Sequence, residues 1–391
     1  PAARGRAFPE AVRRQRRMRL TPPAHEMEEC GMKRTGAVIA AAGLSSRMGA
    51  FKPLLPFGEF SVAGHLVAML KAEHADPIVV VTGFRGEELE RELADSGVLL
   101  IRNEHYETSE MMDSLRLGFG AIAELCDQIL VMPVDVPAVT GATVRRVMEC
   151  DSPIVRTKSM DRYGHPVKLD RKMVKLAMAY QGDDGLRGFL KGQKELVRDV
   201  VVYDEGSFTD ADTREEYRRL LALNGSRGKG YPDGEALKWL LQTSGMPETV
   251  RRHSEAVSRK ALDMAVRLSR FGICLNLELV RSAALLHDIG KGQPDHARRG
   301  AEILSRSGYP LAAEIVRQHH DLDCIPQQAD ETLVVYLADK LVQGEREVSL
   351  EERFERSRVK CAGSREAMEH FERRRLQARR ALQVWESSIA I

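Results

Sequence analysis

The sequence predicts two unlike domains in series, an α/β sheet domain followed by an all-α one. Three observations carry that expectation. From residue 36 to about 205, short apolar runs alternate with amphipathic segments. Beyond about residue 235 the strand pattern stops and long stretches of helical periodicity follow. Between the two, "NGSRGKGYPDGE" at 224–235 has the Gly, Ser and Pro density of a linker. A chain of 391 residues has room for two or three domains with sizeable cores.

In the first region "GAVIAAAG", "PIVVVTG", "VLLIRN", "QILVMPVD", "SPIVRT" and "VRDVVVY" read as strands. "FSVAGHLVAMLKAEH", "RGEELERELADS", "SEMMDSLRLGFGAIAEL" and "TGATVRRVMEC" read as helices between the first of them. In such sheets ligands bind beyond the carboxyl ends of the strands. Two loops fall there, residues 40–52 and the "PVDVP" after "QILVM".

The first of these, "AAAGLSSRMGAFK", reads as a cradle for a phosphate chain. Gly43 and Gly49 permit positive φ and close approach, so backbone N–H groups between them can converge on an anion. Arg47 would fork onto phosphate oxygens and Lys52 add a mobile charge. Neither G-x-x-x-x-G-K-[ST] nor G-x-G-x-x-G is present, and a Gly/Ser turn after a strand is also an ordinary structural feature. Asp135 in "PVDVP" would sit near the loop and hold Mg²⁺ against the phosphates, or serve as a turn aspartate between prolines.

Composition narrows the classes. A net charge of +2 offers no global basic field for nucleic acid. Six cysteines without a C-x-x-C pair suit free thiols in a reducing cytoplasm, and no apolar run reaches membrane-spanning length. Residues 1–31, rich in Arg and Pro, read as a disordered basic tail, with Met32 as an alternative natural start. The domain expectation is therefore 32–223, a linker at 224–235, a helical domain at 236–345 and a charged helical extension at 346–391. No internal repeat is apparent.

The pattern A-A-G-x-S-x-R-M-G-x-x-K resembles the opening of the molybdopterin cytidylyl/guanylyltransferase-like nucleotidyltransferases. "NEHYETSEMMDSLRLG" resembles that family's N…G-M-x-x-S-L segment, with Glu110 where glycine is usual. "VMPVDVP", "YGHPVKL", "GDDGLRGFL" and "TDADTREEYRRL" resemble its later motifs in order, covering about residues 36–222. The resemblance implies a Rossmann-like, GT-A-type mixed sheet. It places Ala42, Gly43, Ser45, Arg47, Gly49 and Lys52 on the nucleotide and Asp135 on Mg²⁺. Asp212 would supply a second metal-side carboxylate, with Asp183 a competing candidate, while His165, Asp183 and Arg187 would serve the acceptor. The implied reaction is attack of an acceptor phosphate on the α-phosphorus of a nucleoside triphosphate, releasing pyrophosphate, with Arg47, Lys52 and Asp135 as the catalytic groups. Ala42 stands where the guanylyl branch usually has glycine, so CTP is expected over GTP. Molybdopterin is the family's default acceptor, with a molybdoenzyme as the implied recipient and a sugar phosphate or other alcohol phosphate as alternatives.

In the helical region "AALLHDIGK" sets His287 and Asp288 at the end of an apolar helix, where unpaired polar groups are costly and a metal would satisfy both. His253 on an earlier helix and Asp339 in "YLADKL" complete a set that would leave positions for water and phosphate. The H…HD…D order resembles the HD-domain metal-dependent phosphohydrolases over about residues 247–345. That resemblance implies one or two divalent ions (Mn, Fe, Ni or Mg), with Asp288 bridging to a second ion on His296 and His319, and Lys291 aiding a phosphate oxygen. Asp295 is the expected N-cap of the helix that begins at His296, and "VRQHH" offers His320 beside His319. A non-hydrolytic module that binds a nucleotide or mediates dimerisation is the alternative. "GSFTDADT" superficially matches the G-S…D-x-D of template-type nucleotidyltransferases, but two residues between Ser207 and Asp210 are too few to reach the next strand.

Overall fold

The computed structural model describes residues 33–44, 48–361 and 363–390. The expected tail at 1–31, together with Ser45 and Arg47, lies outside the described residues. The strands in chain order are β1 (Thr35–Ala41), β2 (Pro56–Phe57), β3 (Phe60–Ser61), β4 (Ile78–Thr82), β5 (Leu99–Arg102), β6 (Gln128–Pro133), β7 (Ile154–Ser159), β8 (Arg162–Asp170) and β9 (Val197–Val201). Seven of them form one sheet in the order β5-β4-β1-β6-β8-β7-β9. β1 pairs parallel with β4 and β6, and β8 runs antiparallel to β6, so the sheet is mixed as expected.

The chain divides into two compact units, one comprising residues up to Val134 with 147–156 and 166–199, the other 135–146, 157–165 and 200 onward. In the first unit the helices are α1 (Val62–Ala72), α2 (Gly86–Leu93) and α3 (Met111–Ile122). α4 (Gly141–Glu149) follows β6, then come α5 (Arg171–Ala179) and α6 (Gly185–Gly192). The core joins Val38, Val79, Val81, Ile129 and Val131 from the strands to Leu115, Phe119 and Ile122 of α3. β1, β4 and β6 read as continuous apolar runs because parallel strands with both faces covered must be apolar on both.

Glu110, the residue that departs from the family's glycine, is the N-cap of α3. It forms a reciprocal capping box with Asp113, whose Oδ2 accepts the Glu110 N–H at 2.9 Å.

The second unit is mostly helical: α7 (Arg214–Lys229), α8 (Gly234–Thr243), α9 (Glu248–Ser269), α10 (Leu277–Leu286), α11 (His296–Arg306), α12 (Pro310–Gln318), α13 (Glu331–Lys340), α14 (Leu350–Cys361) and α15 (Arg365–Ser388). The 224–235 stretch expected as a linker contains the last turn of α7, its left-handed cap Gly230 (φ 80°) and the start of α8. Ser226 and Tyr231 there are buried, the serine hydroxyl donating to the Tyr231 carbonyl at 3.0 Å. Its glycine density thus reflects a helix end followed by a tight turn. α15 packs through Phe371, Ala378, Ala381 and Trp385, with Arg267 of α9 over the Trp385 ring and Arg374 paired to Asp321 at 2.7 Å. No helix among the described residues is long and apolar enough to cross a membrane.

Candidate metal centre and nucleotide loop

Five helices of the second unit deliver polar side chains to one point. His253 lies within α9, His287 caps the end of α10 and is followed by Asp288, His296 opens α11, His319 caps the end of α12 and Asp339 lies in α13. α13 is buried from Leu333 to Lys340, which explains an apolar run that ends in two charged residues aimed inward. The turn after α10 is drawn onto α11 at Gly290, where a Cβ would come within 2.4 Å of the His296 carbonyl oxygen and 2.8 Å of the Gly300 nitrogen. Asp295 occupies the N-cap position of α11 but has left-handed backbone (φ 49°) and makes no side-chain cap bond, contrary to expectation. That conformation turns its carboxylate away from the N–H groups it would cap.

The ligand atoms form two groups, His253, His287 and Asp339, and His296, His319 and His320. His253 Nε2 is 3.2 Å and His287 Nε2 3.8 Å from Asp339 Oδ1. Asp288 spans the groups: Oδ2 is 3.5 Å from His287 Nε2, while Oδ1 is 3.1 Å from His296 Nε2 and 3.7 Å from His319 Nε2. His320, absent from the expected ligand set, joins the second group, its ring centroid 4.3 Å from that of His296. Its signal in the sequence was adjacency to His319, the residue that caps α12.

The donor chemistry suits divalent ions. Nδ1 of His253, His287 and His319 lies 2.9, 2.8 and 2.7 Å from the carbonyls of Gly344, Ala284 and Val316. For His287 and His319 those carbonyls fix the Nδ1–H tautomer and leave Nε2 as a lone-pair donor, while His253 Nε2 meets Asp339 Oδ1. The Nε2 atoms of His287 and His319 are buried without a hydrogen-bond partner among the described residues, a costly arrangement that a metal ion would relieve.

Burial pushes His287 down, and burial together with neighbouring imidazoles pushes His319 well down. His320 is pushed down to about 4 by burial and then by Lys340. Burial opposes ionisation of Asp288 and Asp339. Their cationic and imidazole neighbours overcome it and hold both below the usual carboxylate range. Neutral imidazoles and ionised carboxylates are the protonation states a metal requires. For His253 burial is outweighed by Asp339, which raises it.

Lys291 Nζ donates to both oxygens of Asp288 at 3.2 and 3.0 Å. Lys340, also outside the expected set, is buried and donates to Asp339 Oδ2 and to the His319 carbonyl, both at 2.9 Å.

In the first unit the loop after β1 opens at Ala42, whose carbonyl accepts the Phe84 N–H at 3.2 Å; a Cβ on Gly83 would come within 2.7 Å of that oxygen. Gly49 has φ 64°, as the loop reading requires, whereas Gly43 does not have positive φ and has open space around it. Only one of the two glycines is therefore demanded by backbone conformation. Lys52 begins a short 3-10 turn (Lys52–Leu54) and is 9% exposed. Asn103 is buried on the same unit, donating to Ser109 Oγ at 2.8 Å and Ser114 Oγ at 3.1 Å. Asp183 and Arg187 are exposed at the start of α6, where Asp184 is left-handed (φ 63°) and the Tyr180 hydroxyl donates to the Asp183 carbonyl at 3.1 Å.

In the second unit Asp135 follows β6, half-buried, and its carbonyl accepts the Ala211 N–H at 2.7 Å. That bond brings the chain at Asp212 alongside Asp135. His165 is half-buried on β8.

A mixed sheet with a glycine-bearing loop after its first strand, followed by a helical domain with clustered His/Asp groups, defines the class: a nucleotidyltransferase fold joined to a helical domain that gathers histidines and aspartates. Residues 37–198 match the MobA-like NTP transferase domain and residues 250–343 match the HD domain. The chain thus carries a MobA-like NTP transferase domain and, C-terminal to it, an HD domain.

Nicotine blue oxidoreductase of Paenarthrobacter nicotinovorans is 28% identical over 195 residues, covering 47% of this chain and 95% of that protein. Molybdenum cofactor cytidylyltransferase of Escherichia coli K12 is 29% identical over 117 residues, 30% of this chain and 59% of that protein. A solved nucleotidyl transferase from Methanothermobacter is 25% identical with a TM-score of 0.44, covering 49% of this chain and 97% of its own.

Proposed function

We propose that the chain is an enzyme with two activities: nucleotidyl transfer from a nucleoside triphosphate, CTP before GTP, to a phosphate acceptor, and phosphate-ester hydrolysis at the HD domain. The observation that carries the reading is the position of Asp288 between two histidine-containing groups in which Nε2 of His287 and of His319 is buried without a hydrogen-bond partner. His253, His287, Asp288 and Asp339 would hold one divalent ion and Asp288, His296, His319 and His320 a second; Asp135 and Asp212 would hold Mg²⁺ in the transferase domain. Such ions, when bound, supply Lewis acidity toward phosphoryl oxygen and toward water.

The residues supply the rest. In transfer an acceptor oxygen bonds to the α-phosphorus as the bond to the β-phosphate breaks and pyrophosphate leaves. Lys52, with Arg47 on the sequence argument, offsets the charge that develops. Asp183, Arg187 and His165 would orient the acceptor, for which molybdopterin is our reading, supported by the cytidylyltransferase relative. In hydrolysis Lys291 would hold a phosphate oxygen beside Asp288.

Pyrophosphate release from the four ribonucleoside triphosphates, with and without molybdopterin, tests the transferase. CTP is expected to give the highest kcat/KM, and Lys52→Ala or Asp135→Ala to lower the rate on the order of 10²-fold or more. No release with any triphosphate, with redox turnover of the kind named for the Paenarthrobacter relative, overturns it. Elemental analysis tests the HD domain. Bound transition metal lost in the His287→Ala/Asp288→Ala double variant, with loss of phosphoesterase activity, supports hydrolysis; metal binding without turnover leaves a binding or dimerisation module.

A further inference from the structure

His320 lacks the carbonyl anchor that holds the rings of His253, His287 and His319. Its ring makes no hydrogen bond among the described residues and meets the rings of His296 and His319 at centroid distances of 4.3 and 4.4 Å. The aim of His320 therefore depends on the backbone of the turn that leaves α12. The two ends of that turn are held within the bundle, the His319 carbonyl by Lys340 at 2.9 Å and the Asp323 N–H by Gln318 Oε1 at 3.0 Å. Its middle is gripped from α15. Arg374 forks onto Asp321, donating from Nε to Oδ1 at 2.9 Å and from a terminal nitrogen to Oδ2 at 2.7 Å. Gln377 closes a ring with Leu322, its amide nitrogen donating to the carbonyl at 2.7 Å and its oxygen accepting the N–H at 3.1 Å. Arg374 and Gln377 stand at i and i+3, so they reach the turn from one face of the helix.

We propose that α15 is a strap that sets the second ion site, with Arg374 and Gln377 as positioning residues that keep His320 turned toward the ion. The proposal rests on the two-ion reading of the HD domain. α15 lies beyond residues 250–343, the segment that matches the HD domain, so this support is an addition made by the rest of the chain. The strap is itself seated. The Arg267 guanidinium of α9 lies 5.1 Å from the centroid of the Trp385 ring, and Ser388 Oγ accepts the Ala329 N–H at 3.4 Å. α9 carries His253, so the helix that grips the turn of the second group rests on a helix that serves the first. A charge effect and a positioning effect have opposite signs here. Removing Arg374 leaves the Asp321 carboxylate without its fork beside the site, and by charge alone that would tighten a cation. Positioning predicts a weaker one, because His320 loses its aim.

The test uses the full chain carrying Asp135→Ala, which removes the carboxylate proposed for the transferase ion. The chain is stripped with chelator and titrated with Mn²⁺, and bound ions are read by elemental analysis and by electron paramagnetic resonance. Two ions sharing a carboxylate give a coupled signal, and a lone ion gives the hyperfine pattern of isolated Mn²⁺. Arg374→Ala/Gln377→Ala is expected to weaken one of the two ions about tenfold or more and to replace the coupled signal with the isolated one. Arg375→Ala, whose partner Glu372 is on α15 itself, is expected to leave both ions in place. The Arg374 side chain is 44% exposed, so the fold tolerates its loss. Two ions of unchanged or greater affinity in the double variant overturn the strap, as does equal weakening of both ions. Hydrogen exchange supplies a readout without metal: a Leu322 amide that exchanges no faster in the double variant also overturns it. A parent chain with no ion sensitive to His287→Ala/Asp288→Ala overturns the two-ion reading instead, and the strap with it.

Discussion

Single side chains in this protein show how burial sets chemistry. Cys126 is 1% exposed under α3, and burial pushes its thiol up to about 11. In the unfolded chain the same thiol ionises near pH ~8.5. The folded state therefore holds its proton where the unfolded state loses it, and stability falls as pH rises from ~8.5 toward 11. Native protein at pH 8 is expected to leave Cys126 unalkylated by iodoacetamide while exposed Cys274 and Cys324 react; mass spectrometry of the modified peptides checks this. Modification of Cys126 at the rate of the exposed pair would contradict the burial argument. Gly290 makes the opposite point, since its lack of a side chain is what matters. Gly290→Ala puts a methyl 2.4 Å from the His296 carbonyl and must push the 287–291 turn off α11. Loss of metal from the second histidine group, read by elemental analysis, is the expected result.

At the scale of elements, helix ends position three of the clustered histidines, His287, His296 and His319, so caps bear on the candidate site. Asp330 accepts the Leu333 N–H at 2.8 Å and starts α13, the helix that carries Asp339. Asp330→Ala is expected to cost about 1 kcal/mol, seen as a lower midpoint in urea with an unchanged slope. The Arg227–Asp204 pair joins α7 to the loop at 204–208, and both side chains are largely buried, at 14% and 2% exposure. Arg227→Ala leaves Asp204 charged in the interior and is expected to cost about 3–5 kcal/mol, a far larger shift in the same measurement. A change as small as that of Asp330→Ala would show that water replaces the guanidinium.

For the whole molecule, the proposed ligands come from five helices, so a metal held there would be coupled to folding. A chelator-treated chain is expected to melt earlier than the metal-loaded one, and added Mn²⁺ to restore the higher Tm. The transition that moves belongs to the HD region, because the transferase candidates Lys52 and Asp135 contribute nothing to that ligand set. A scan in which chelator changes no transition would remove the metal from the fold's stability.

The sequence by itself determined the two folds, through apolar periodicity, and singled out His253, His287, Asp288 and Asp339, which the fold brings close together. It also singled out Asp288, whose two oxygens face His287 on one side and His296 on the other. The tertiary structure decided what depends on where side chains meet. His320 enters the second group and Lys340 clamps Asp339, because α12 ends and α13 is buried at that point; neither fact is local to "HH" or "ADK". The supposed linker became a helix end and turn because Ser226 and Tyr231 found burial, a tertiary gain that composition does not encode. Arg146 and Arg306 likewise line one cleft from positions far apart in the chain, and separation along a sequence carries no distance until the core has formed.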